Sequence, residues 1–119
     1  MTTRTPTLQD ALLDTKAYTW TGLLNGDDGA GAQYTGSGDR SVQITGTFGA
    51  GGTVVVEGTL DGTNWFGLRD PSSTAISFTT AGLKAILENV LAVRPRVTAG
   101  DGTTTITAIL LIRRASNGN

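Results

Sequence analysis

The sequence predicts an all-β fold, an antiparallel β-sandwich or jelly-roll-like domain, on three observations. Its 119 residues include 17 Gly and 21 Thr; Thr favours strands and Gly marks turns. Seven or eight short segments alternate polar and apolar residues between Gly-rich turns, the pattern of a sandwich or jelly roll. At most one short stretch has helical spacing, so the crossover helices of a parallel sheet are missing. The length suits one domain: an extended N-terminal arm over 1–16, a sandwich domain over 17–114 and a polar, flexible tail over 115–119.

In the arm, Pro6 and the clustered Thr residues discourage a helix, while Leu8, Leu12 and Leu13 are apolar enough to dock. Tyr18 and Trp20 alternate with Thr19 and Thr21 as a short strand. Six glycines over 22–39 predict a long loop, functional or disordered. Val42, Ile44 and Phe48 fall on one face of the next strand, and Thr53–Leu60 is β-branched and extended. Asp61-Gly62 predicts a hairpin turn, with a return strand over Asn64–Arg69. A turn at Asp70-Pro71 leads to Ala75–Phe78. Residues 79–89 predict one or two helical turns, capped by Thr79 or Thr80, with Leu83, Ile86 and Leu87 sharing a face. Leu91–Thr98 is a strand with Arg94 and Arg96 opposite Val93 and Val97, and Pro95 places it at an edge or bulge. Residues 103–113 form the last strand.

That last strand carries the most information. Ile106, Ala108, Leu110 and Ile112 face one way and Ile109 and Leu111 the other. One sandwich core buries only the first set. Either a neighbouring subunit or exchanged arm covers the second, or its own arm or strand curvature does.

Composition excludes much chemistry. There is no Cys and no His, hence no disulfide framework, no thiolate or imidazole metal site, and no His general base. No apolar run is long enough to span a bilayer and the N-terminus has no secretory core. Net charge is −1, which gives no electrostatic case for nucleic acid. Charge is uneven: residues 1–60 carry three basic against six acidic side chains, residues 61–119 six against four. The two halves can pair within or between chains, or remain solvated. Asp27, Asp28 and Asp39 lack the calcium-loop pattern. Glu57 with Asp61, or Asp61 with Asp70, could pose as a glycosidase pair, but nothing fixes them around a cleft and turn chemistry explains Asp61 and Asp70; no G-x-S-x-G elbow occurs. No catalytic residue, metal or cofactor is expected. Trp20, Trp65, Tyr18 and Tyr34 offer the aromatic faces of a carbohydrate-binding platform. Arg94, Arg96, Arg113 and Arg114, on strands a hairpin would join, offer one basic patch for an acidic protein surface.

Residues 38–114 resemble small structural proteins encoded near the head genes of tailed bacteriophages, the capsid decoration or cement proteins. The likeness rests on Gly38–Gly49, on Val54-Val55-Val56-Glu57-Gly58-Thr59-Leu60-Asp61-Gly62-Thr63-Asn64-Trp65, on Phe78-Thr79-Thr80-Ala81-Gly82-Leu83 and on Val93-Arg94-Pro95-Arg96-Val97. It implies a virion component made in the bacterial cytoplasm. It would sit on the capsid's outer surface as a homo-oligomer, a trimer by analogy, clamping neighbouring major capsid subunits, with no enzyme activity and no nucleic-acid or membrane partner. The contact residues expected on this reading are Leu8, Leu12, Leu13, Asp27, Asp28, Tyr34, Arg94, Arg96, Ile109, Leu111 and Arg113. The alternative is a carbohydrate-binding sandwich module of a phage fibre or tail.

Overall fold

The computed structural model describes residues 2–12, 15–33 and 38–114. Leu13, Tyr34, the tail 115–119 and the side chains of Leu8 and Leu12 lie outside the described residues. Among the described residues every regular element is a strand: β1 (Thr3–Arg4), β2 (Thr7–Leu12), β3 (Thr15–Leu23), β4 (Asp28–Gly29), β5 (Ala32–Gln33), β6 (Gly38–Thr47), β7 (Thr53–Thr59), β8 (Phe66–Gly67), β9 (Ser77–Phe78), β10 (Gly82–Ala85), β11 (Ala92–Ala99) and β12 (Thr105–Arg114).

They form two sheets. A seven-stranded sheet runs β1-β4-β11-β7-β8, with β5 on β11 and β9 on β7; a five-stranded sheet runs β10-β6-β12-β3-β2. All pairings are antiparallel except β1 with β4. The inner faces share one core: Trp20, Leu23, Val42, Ile44, Ile106, Ala108, Leu110 and Ile112 from the five-stranded sheet meet Val54, Val56, Phe78, Val93 and Val97 from the other. The period-2 pattern along β12 therefore sorts as expected, with Ile106, Ala108, Leu110 and Ile112 buried.

β12 lies between β6 and β3 over nearly its whole length. Its ladder to β3 shifts register between Ile106 and Ala108. Gly22, on the β3 side of this bulge, has φ +70°, a backbone that a residue with a Cβ adopts only at a cost.

Four local expectations need correcting. Residues 79–89 hold no helix: Gly82–Ala85 is β10, paired with β6, because edge pairing satisfies backbone groups that so short a helix would leave open. The 22–39 segment is not one loop. β3 runs to Leu23, β4 and β5 pair with β11, and β6 begins at Gly38. The return strand after Asp61-Gly62 shrinks to Phe66–Gly67, because the turn extends through Trp65. Pro95 sits in an interior strand. The Val97 N–H donates to the Asp27 carbonyl, so two-residue periodicity aims the Pro95 nitrogen at the same flank, into the gap between β4 and β5, where no ladder donor is needed.

The arm belongs to both sheets. β1 pairs with β4 in one, and β2 extends the edge of the other beside β3.

Candidate interaction surfaces

A charge cluster ties the arm to the seven-stranded sheet. Asp27 and Asp28 are buried. The Thr2 N–H donates to Asp27 Oδ1 and the Leu24 N–H to Oδ2, both at 2.9 Å, and Arg4 Nε lies 3.5 Å from Oδ2. Burial pushes the Asp27 carboxyl up, but those two N–H groups and Arg4 outweigh it and hold it below the usual aspartate value. Asp28 Oδ1 accepts from the Thr3 hydroxyl at 2.6 Å. Arg94 lies between Asp28, 3.4 Å from Nη1, and Glu57, 2.9 Å from Nη2. Its guanidinium lies 4.3 Å from the centroid of the Trp65 ring, a cation–π contact. Arg96 reaches Glu57 at 3.5 Å. Acidic and basic halves thus pair within the chain at Arg94, which turns its charge on Asp28 and Glu57, while Asp27 is matched by Arg4, so these charges face inward rather than toward a partner.

The four-arginine patch does not form. β11 and β12 lie in different sheets, because the 99–104 turn carries the chain across the sandwich. Arg113 is exposed on the five-stranded sheet, across from Asp39, far in topology from Arg94 and Arg96.

Asp101 holds that turn. Its Oδ1 accepts from the N–H and hydroxyl of Thr103, at 2.8 and 2.6 Å, and its Oδ2 from the Ala50 N–H at 2.8 Å. The Thr103 hydroxyl, then the Ala50 and Thr103 N–H groups, pull its carboxyl down to about 2 from 3.8. A carboxyl depressed on folding stabilises above its unfolded pKa and loses that contribution as pH falls through the folded one. Chemical denaturation between pH 5 and about 2 should therefore show Asp101→Asn less stable than the parent at pH 5, with the gap closing below about 3.

On the five-stranded sheet, cross-strand register places Leu83, Gln43, Ile109 and Thr19 in one outward row and Ala85, Ser41, Leu111 and Ala17 in the next. Ile109 is half-buried; Leu111 is 38% and Leu83 65% exposed. Because β2 lengthens the sheet sideways, it does not roof this face.

The turn after β7 is built by Asp61, whose Oδ1 accepts from the N–H groups of Thr63 and Asn64 and the Thr59 hydroxyl. The Asn64 and Thr63 N–H groups, then the Asn64 and Thr59 side chains, hold this carboxyl far below the aspartate range. Beside the turn, Leu60 and Phe66 are 76% and 70% exposed.

The aromatic residues do not make one platform. Trp20 is buried, donating Nε1 to the Ala30 carbonyl at 3.0 Å. Trp65 stacks on Arg94, and Phe66 points to solvent. Sequence pattern placed neither the Arg94–Trp65 contact nor the outward Leu60 and Phe66; an aromatic pair straddling a strand start was the available sign. Among the described residues no group of three or more His, Cys, Asp or Glu is arranged to hold a metal ion, and Asp39 lies on β6, in the sheet opposite to Asp27 and Asp28.

These features define a two-sheet β-sandwich with a buried charge cluster in one sheet and exposed apolar side chains on its outer surfaces. No protein-family model and no curated protein matches the chain. Among solved structures, the crystal structure of the SPBc2 prophage-derived protein YomS is similar in fold, with TM-score 0.61 and 9% identity over 87% of this chain and 98% of that one.

Proposed function

We propose that the chain is a structural protein of a phage virion. On this reading it is a capsid cement or decoration protein that binds neighbouring major capsid subunits from outside the shell, assembles as a homotrimer and catalyses no reaction. The observation that carries this reading is the outward face of the five-stranded sheet. Leu83, Ile109 and Leu111 stand there among small hydroxyl and Ala side chains, left open by the chain's own arm. Keeping large aliphatic groups wet forgoes up to about 1.5–3 kcal/mol each, and a covering neighbour recovers it. The fold shared with a prophage-derived protein supports the phage setting. Repeated weak contacts in an oligomer add up through avidity. Purified protein added to undecorated capsids should bind and raise the temperature at which they rupture. Leu111→Asp should weaken that binding while leaving the core, which Leu111 does not join, intact. A monomer in solution that leaves capsids unchanged overturns the proposal.

A further inference from the structure

A second surface has the shape of a receptor. Between the Thr59–Asn64 turn, β8 and the 88–90 segment lies a cavity of about 410 Å³, within the size range of binding sites. Leu68 and Val90 pack down onto Gly58, where a Cβ would come within 2.8 Å of both Leu68 Cδ2 and Val90 Cγ2, and so form its base. The exposed Leu60 and Phe66 stand at the mouth. Leu87 and Leu91, 45% and 43% exposed, flank it in sequence, so four of the exposed large apolar side chains gather at this end of the sandwich.

The polar lining has a sign. Glu88 is matched by Arg69, whose Nε lies 2.7 Å from Oε2. Asp61 lines the same cavity and has no ion-pair partner among the described residues. Its N–H and hydroxyl partners fix the carboxylate in place. The cavity thus presents an apolar interior and one rigid, uncompensated negative charge at its rim.

We infer that this cavity docks an extended segment of a partner protein, taking one large aliphatic side chain against Leu60, Phe66, Leu68 and Val90 while an adjacent Arg or Lys meets Asp61. The apolar walls supply affinity and the unmatched carboxylate selects the neighbour. The inference rests on the proposed function only in taking the partner to be a protein.

The test uses amide NMR spectra of the full chain titrated with three capped peptides: Gly-Leu-Arg-Gly, Gly-Leu-Glu-Gly and Gly-Ser-Arg-Gly. Saturable shifts at Gly58, Asn64 and Gly67 are expected with the first, and binding about tenfold weaker with the other two. Phe66→Ser, which alters an exposed residue, should weaken the first peptide by a similar factor and leave the remaining spectrum in place. Absence of shifts at those amides, or equal shifts from all three peptides, overturns the inference. So do shifts that follow dilution of the protein alone, which would assign the cavity to a second copy. Peptide binding without capsid binding would remove the virion reading and keep this one; capsid binding undiminished in Phe66→Ser, with no peptide shifts, would do the reverse.

Discussion

Trp20→Ala should lower stability by about 4 kcal/mol, the upper range for an aromatic deleted from a core, and the melting temperature by about 15 °C for a domain of this size. Trp20 is 1% exposed and belongs to the central cluster. Its indole fits against β4: a Cβ on Gly29 would lie 2.6 Å from the Trp20 Nε1 and 2.7 Å from Pro95 Cδ. The Nε1 bond to the Ala30 carbonyl also ties β3 to the segment between β4 and β5. Trp20→Phe keeps most of the volume and loses that bond, so about 1–2 kcal/mol is expected. Calorimetry on both variants checks the pair; equal losses would show that the hydrogen bond, and not the packing, dominates.

The second large effect is expected at Arg94. Arg94→Ala should cost about 3 kcal/mol, since it strands two buried carboxylates. The Glu57 and Asp28 side chains are 11% and 7% exposed and share this guanidinium. Arg96 reaches Glu57 from a more exposed position, at 3.5 Å, and does not replace it. Arg94→Lys should rescue little, because a single ammonium cannot span both acids and stack on Trp65. The double variant Arg94→Leu/Glu57→Leu should recover at least half the loss, because an apolar pair avoids the desolvation of two charges. Urea titration of the three variants decides it. A double variant worse than Arg94→Ala would mean that the pair stabilises the fold outright.

The core was legible because period-2 patterning needs no tertiary knowledge. Val42 and Ile44 and the four inward residues of β12 read directly from alternation, and all are buried, whereas the run Val54-Val55-Val56 shows a strand without showing which face is inward. What misled was short range. Leu83, Ile86 and Leu87 have helical spacing, yet only Ile86 is buried; pairing of Gly82–Ala85 with β6 outweighed a weak local preference. The glycines over 22–39 hid β4 and β5, two-residue strands defined by their pairing with β11 and, for β4, with β1. Arg94 and Arg96 looked like surface charge because their acidic partners lie 37 or more residues away in sequence. The outward pair Ile109 and Leu111 was readable from the strand itself. The cavity beside Leu68 and Val90 was not, since its walls come from the separate segments 58–68 and 88–90.

Strand β12 is the last described element of the chain and the middle of its sheet. Strands β3 and β6 do not pair with each other, so the part of the sheet that carries Trp20, Leu23, Val42 and Ile44 is joined only when residues 105–114 enter between them. The sheet therefore closes only through pairings between residues far apart in sequence, and until then the greasy gap is open to wrong partners.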